Sequence, residues 1–219
     1  MYLNDYEEFK FKKINTSLLL NKFTFQNDNF KKFFIAQEKS NYDFYYFIGK
    51  SLKDVKKLSQ IGLCGGYYLG LLLLVNDAID EIFLFDTIKD NKKILRLTKN
   101  NLLSFNKINK NYYISLETND LLSKIDKSDS EIIIIYDVNF AIDNIDEILN
   151  MFFKNKFANI LVIDNLKDDI NFEYKIKNFC IIRNIAFEKF IKRNNAIILR
   201  KDKNGVWDYF SLLSIFWRK

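Results

Sequence analysis

The sequence predicts an α/β chain built on a doubly wound, mostly parallel seven-stranded sheet, on three observations. Short apolar runs alternate with helix-like segments from about residue 55 to residue 200. These runs are continuously apolar, as strands covered on both faces require. Half of the chain's six glycines fall within residues 62–66, where one run gives way to the next segment. Glycine there lets a strand turn sharply into a helix and brings bare N–H groups to the helix start, as a nucleotide-type cofactor needs.

The elements follow in order. Val55, Leu58 and Ile61 mark the first strand, and Leu69 to Val75 the helix after the turn. Glu81 to Phe85 reads as a second strand ending in Asp86. Lys92 to Phe105 carries Ile94, Leu95, Leu97, Leu102 and Phe105 at helical spacing. Tyr112 to Leu116 is a third strand, and Glu131 to Asp137 a fourth with four consecutive isoleucines. A helix over Ile145 to Phe153 and a fifth strand over Asn159 to Asp164 come next. Phe187 to Lys192 and Ala196 to Arg200 flank Asn194-Asn195, a hairpin signature that makes one strand antiparallel. Alternating strand and helix make a parallel doubly wound sheet.

Three regions are expected. Residues 1–54 are aromatic-rich and form a helical cap or lid over the sheet's carboxyl edge; residues 55–204 are the core. Residues 205–219 hold both tryptophans and form an aromatic tail that packs on the core or at a self-association surface.

At 219 residues the chain is large enough to bury a core without disulfides. It has no histidine, which removes His-based triads, His metal sites and imidazole proton shuttles. The net charge of +6 comes from scattered lysines in an Asn/Lys-rich composition, which supports nucleic-acid binding only weakly. Cys64 and Cys180 form no pairing pattern and read as buried thiols. With no signal peptide at the start, a cytoplasmic location is expected. Residues 58–76 carry no charge, but the glycine turn and Gln60 argue against a membrane span.

In doubly wound sheets, ligands sit at the carboxyl ends of the strands. Asp86 falls there about twenty residues past the glycine turn, as an acid that grips a ribose diol does. The polar segment Glu117 to Asp120 follows the third strand, and Asp137 ends the fourth.

At these residues the chain resembles the class I S-adenosylmethionine-dependent methyltransferases. The segment QIGLCGGYYLGLLLL is similar to their first motif, with Gly62 and Gly66 at its first and third glycines and Cys64 at the middle one. EIFLFDT resembles the second motif, which implies cofactor contacts from Asp86 and Thr87. LETNDLL resembles the adenine-side segment through Asn119 and Asp120, and IIIIYDV the fourth motif through Asp137. The closing hairpin is like the antiparallel final strand of that Rossmann-like methyltransferase fold. The resemblance covers about residues 55–201.

It implies S-adenosylmethionine as cofactor, Asp137 facing the reaction centre as base or positioning group, and methylation of an oxygen on a small molecule or sugar. The sequence departs from the motif at two places. Gln60 stands where an acid is usual, and Cys64 fits only if the turn there needs no positive φ. A narrower resemblance to metal-dependent catechol-type O-methyltransferases implies a Mg²⁺ site from Asp137, Asp164 and Asn165, although Phe140 stands where that subgroup has a lysine. Three rivals stay open: an inert methyltransferase-like binding module, an NAD-type oxidoreductase, and an RNA methyltransferase. A homo-oligomer is compatible with the aromatic tail.

Overall fold

The protein is described from a computed structural model over residues 44–45, 48–49, 52, 54–87, 92–105, 111–115, 120–164, 170–190 and 196–201. Most of the expected cap and all of the tail at 205–219 lie outside the described residues.

Seven strands form one sheet in the order β3-β2-β1-β4-β5-β7-β6. They are β1 (Lys57–Ile61), β2 (Glu81–Phe85), β3 (Asn111–Ser115), β4 (Ile132–Ile135), β5 (Ile160–Ile163), β6 (Ala186–Phe190) and β7 (Ala196–Arg200). β1 to β5 are mutually parallel, and β7 runs antiparallel to both β5 and β6. The fold class read from the sequence is thus the one observed, hairpin included.

A short 3-10 turn (Cys64–Gly66) leads from β1 into α1 (Tyr67–Val75). The later helices are α2 (Lys92–Phe105), α3 (Leu121–Asp126), α4 (Val138–Asp143), α5 (Ile145–Lys154) and α6 (Ile170–Arg183). The uncharged stretch from 58 to 76 resolves into β1, the turn and α1. No helix of the described residues is long and apolar enough to cross a membrane.

Side-chain alternation along β1 and β4 divides the interior into two layers. Leu58, Ile132 and Ile134 face one cluster with α1, Leu97, Leu102 and the early residues Phe44, Tyr45, Ile48 and Leu52. Ile61, Ile133 and Ile135 face the other, with α3 to α6. All four isoleucines of β4 are inaccessible, which is why that strand reads as an unbroken apolar run. β3 departs from this expectation: it is the edge strand, and Tyr113 is half exposed, stacked on Phe83.

Two asparagines close helix-to-strand connections. Asn76 Oδ1 accepts from the N–H groups of Ala78 and Ile79, and its Nδ2 donates to Gly49 O and Leu52 O. Asn155 does the same after α5, accepting from Phe157 and Ala158 and donating to Asp126. Asn76 therefore ties the early segment to the core. Three buried hydroxyls, Ser59, Ser128 and Ser130, satisfy one another near the opposite end of β1.

Candidate functional site

The parallel strands β1, β2, β4 and β5 end together at one rim, and the sequence-predicted residues Gly62, Cys64, Asp86, Thr87, Asp137 and Asp164 stand just past those ends. The bend after β1 runs through positive φ at Gly62 (89°), Cys64 (44°), Gly65 (64°) and Gly66 (75°). Gly62 is required twice over. Besides its φ, a Cβ on it would lie 3.1 Å from the Asp137 backbone nitrogen. Gly66 and Gly65 serve packing against α2: a Cβ on Gly66 would sit 3.2 Å from the Thr98 carbonyl oxygen. Asn101 Nδ2 donates to Gly65 O at 2.7 Å from the same helix. The missing side chain of Gly66 thus admits a neighbouring helix, while that of Gly65 leaves room for the Tyr67 ring, 2.6 Å from where its Cβ would lie, and for Leu97.

Cys64 corrects an expectation. The turn does need a left-handed residue at this position, and a cysteine supplies it, at a typical cost of about 1–2 kcal/mol. Burial pushes its thiol well above the ordinary range, and the carboxylates of Asp86, Asp164 and Asp137 push it further. The thiol stays protonated, so Cys64 is no thiolate nucleophile.

Asp86 is buried and turned toward the bend: its Oδ2 accepts from the Leu63 N–H at 3.1 Å. Gln60 is also buried, and its Nε2 donates to Gly62 O at 2.7 Å. A glutamate in its place could not make that bond. Gln60 Oε1 remains a buried acceptor without a hydrogen-bond partner.

Asp137 is the N-cap of α4, its Oδ1 accepting from the Phe140 N–H at 3.0 Å. Its Oδ2 accepts from the Thr87 hydroxyl at 2.6 Å. Because β1 lies between β2 and β4, this bond passes across the end of β1. Asp164, at the end of β5, is inaccessible and accepts from the Tyr45 hydroxyl at 2.8 Å. Asp120 is exposed at the start of α3 with φ 58°. Asn119 and Asn165 lie outside the described residues.

The divalent-ion expectation gains no support. Both Asp137 oxygens are engaged, and among the described residues no group of three His, Cys, Asp or Glu side chains is arranged to hold a metal.

No local pattern in the chain signals the tyrosine stack found beside these carboxylates. Tyr68 stacks on Tyr136 at 4.4 Å between ring centroids, and Tyr45 tilts against Tyr68 at 5.1 Å. Tyr136 titrates far above its usual range, first through burial and then through Tyr68, Cys64, Tyr45 and Asp164. Its hydroxyl is neutral at any physiological pH. The only clue available was position: Tyr68 follows the glycine turn and Tyr136 follows β4.

No protein-family profile and no curated protein sequence matches the chain. Solved structures do. The methyltransferase domain of bacterial CtHen1 aligns with a TM-score of 0.55 at 12% identity, over 75% of this chain and 99% of that one. The SAH-bound Podospora anserina methyltransferase PaMTH1 aligns at 0.54 and 11% identity, over 91% of this chain and 88% of that one. An O-methyltransferase from Bacillus cereus in complex with SAH aligns at 0.52 and 13% identity, over 74% and 80%. Strand order, the antiparallel β7 and these alignments define the fold: that of the class I S-adenosylmethionine-dependent methyltransferases. At such identities the likeness carries no further than architecture.

The polar groups at the rim fit such a cofactor in one respect that rests on this chain alone. Gln60 Oε1 is an orphaned acceptor beside the bend, of the kind an ammonium donor satisfies.

Proposed function

We propose that this chain is an S-adenosylmethionine-dependent methyltransferase that methylates an oxygen of a small molecule or sugar. The observation that carries the reading is the Asp86 carboxylate held on the Leu63 N–H, which joins the acid after β2 to the bend after β1. An acid fixed there suits a ribose diol, and α1 begins beside it with no side-chain cap and no acidic residue in its first turn. Gln60 Oε1 would meet the methionine ammonium. When bound, the cofactor supplies a methyl group activated on a positively charged sulfur.

The protein's part is alignment and exclusion of water. Asp137 Oδ2, holding the Thr87 hydroxyl, marks where an acceptor hydroxyl would dock. An acceptor that displaced Thr87 would hand its proton to Asp137 while Oδ1 stayed fixed by the helix N–H. The Tyr45, Tyr68 and Tyr136 rings would flank it as a neutral aromatic wall.

Calorimetry with S-adenosylmethionine on the wild type and on Asp86→Asn tests the reading. The amide can still accept from Leu63, so the bend survives while the charge is lost. Binding by the wild type and a loss of roughly tenfold or more in the variant, on the scale of one charge-assisted hydrogen bond, is the expected result. A wild type that does not bind the cofactor sinks it.

A second reading is favoured by the Thr87–Asp137 bond and by the left-handed Cys64: a binding module that takes the cofactor without turning it over. Transfer of a labelled methyl group to any acceptor in cell extract separates the two.

A further inference from the structure

The outer face of α6 is built unlike the other helices. α5 keeps Ile145, Ile148, Leu149 and Phe152 inward and turns Asp146, Glu147 and Asn150 to solvent, as an amphipathic surface helix does. α6 also has an inward row, Phe172, Ile176 and Cys180. Yet Ile170 is 84% exposed, Tyr174 63%, Ile181 77% and Ile182 77%. At about 100° per residue, positions 170, 174 and 181 fall within roughly 40° of one another, an outward apolar stripe with Lys177 between its last two members. Its C-terminal end opens into a groove of about 500 Å³ lined by Lys177, Cys180, Ile181, Asn184, Ile185 and Phe187. Large apolar groups this exposed and aligned on one face mark a surface that something covers.

We propose that residues 202–219 of this same chain cover it, with an aromatic side chain of that segment anchored in the groove. The path of the backbone argues for this. Arg200 pairs with Ala186 on one side and with Ile160 on the other, so β7 ends where β6 begins. β6 begins two residues after Asn184 of the groove. Lys201 is pinned at that edge: its N–H donates to Asn159 O, and its Nζ donates to Phe152 O and Asn155 O at the end of α5. α5 and α6 pack in the same layer, so the Lys201 side chain reaches the α6 side of the sheet.

Length and composition agree. Eighteen residues span about 27 Å as a helix, against about 21 Å for the fourteen of α6. The segment carries Trp207, Phe210, Leu213 and Trp217, the last three at spacings that share one helical face. Lys177, over the Phe187 ring at 5.4 Å, gives the groove a cationic rim that favours an aromatic guest.

The chain's two tryptophans both lie in this segment, so intrinsic fluorescence reports on it alone. The expected result is blue-shifted emission, shielded from acrylamide and unchanged on dilution. Ile181→Lys and Tyr174→Lys should shift the emission to that of a solvated indole and abolish the shielding. Their side chains are exposed, so unchanged far-UV circular dichroism and melting would show the core intact. Solvated tryptophans in the wild type, or protected ones in both variants, would overturn the proposal. So would protection that disappears on dilution together with a halving of mass by light scattering, because the occupant would then be a second copy.

Discussion

Two turns at the same rim solve the same problem by opposite means. After β1 the chain reaches α1 through four positive-φ residues, three of them glycines, and the helix starts without a side-chain cap. After β4 it reaches α4 through ordinary extended backbone at Asp137, whose carboxylate caps the helix. The first turn leaves the helix start without a resident anion; the second supplies one. Under the proposed function the cofactor's polar groups would meet the first turn beside Asp86, and the second turn would present Asp137 to the acceptor.

The sharpest way to break this contrast is at Gly62. Gly62→Ala meets both an unfavourable φ and the Asp137 backbone nitrogen, and should cost on the order of 3 kcal/mol in denaturant unfolding. A variant that melts with the wild type would mean that the two turns are not in contact. Next in size, Gln60→Glu replaces the donor to Gly62 O by an acceptor and should cost about 2 kcal/mol in the same measurement, although it restores the residue type usual in the resembling family. A neutral or stabilising result would show that the bond from Gln60 to Gly62 O contributes nothing.

At the second turn, Asp137→Ala removes the cap and the partner of Thr87 together, for about 1–2 kcal/mol. Thr87→Val, which loses only the bond across β1, should cost less than that while leaving cofactor affinity undiminished in calorimetry. A fall in affinity would place the Thr87 hydroxyl among the cofactor's contacts.

A further test lies away from the rim, in a pH dependence confined to alkaline solution. Burial pushes the Cys180 thiol up to about 12 from an ordinary value of 9.0. A group whose folded pKa is raised contributes stability fully present below the unfolded value, and that stability is lost as pH rises toward the folded one. Thermal stability should therefore decline between about pH 9 and 12, and Cys180→Ala should flatten that slope even though its cavity lowers stability overall.

Legibility in the sequence followed the range of the interaction. The strands could be read because β4 is four isoleucines and β5 is Ile-Leu-Val-Ile, patterns that report burial on both faces. α2 and α5 could be read because each shows a helical apolar stripe. α6 escaped because apolar residues surround it, leaving no period to find, and α3 and α4 because six residues are too few to show one. At the site, the placing of Gly62, Asp86 and Asp137 at strand ends was legible. Their partners were not, since Leu63 to Asp86 spans 23 positions, Thr87 to Asp137 50, and Tyr45 to Asp164 119.

The amino-acid order alone determined which segments are strands, where the chain must bend and which acids stand at strand ends. Those are consequences of local periodicity and backbone sterics. It took the packed fold to show that Gly66 makes room for α2 and Gly65 for Tyr67, that Asp137 is held by Phe140 and Thr87, and that Tyr45, Tyr68 and Tyr136 stack together. Each depends on strand register and helix packing, which bring together atoms that no local pattern relates.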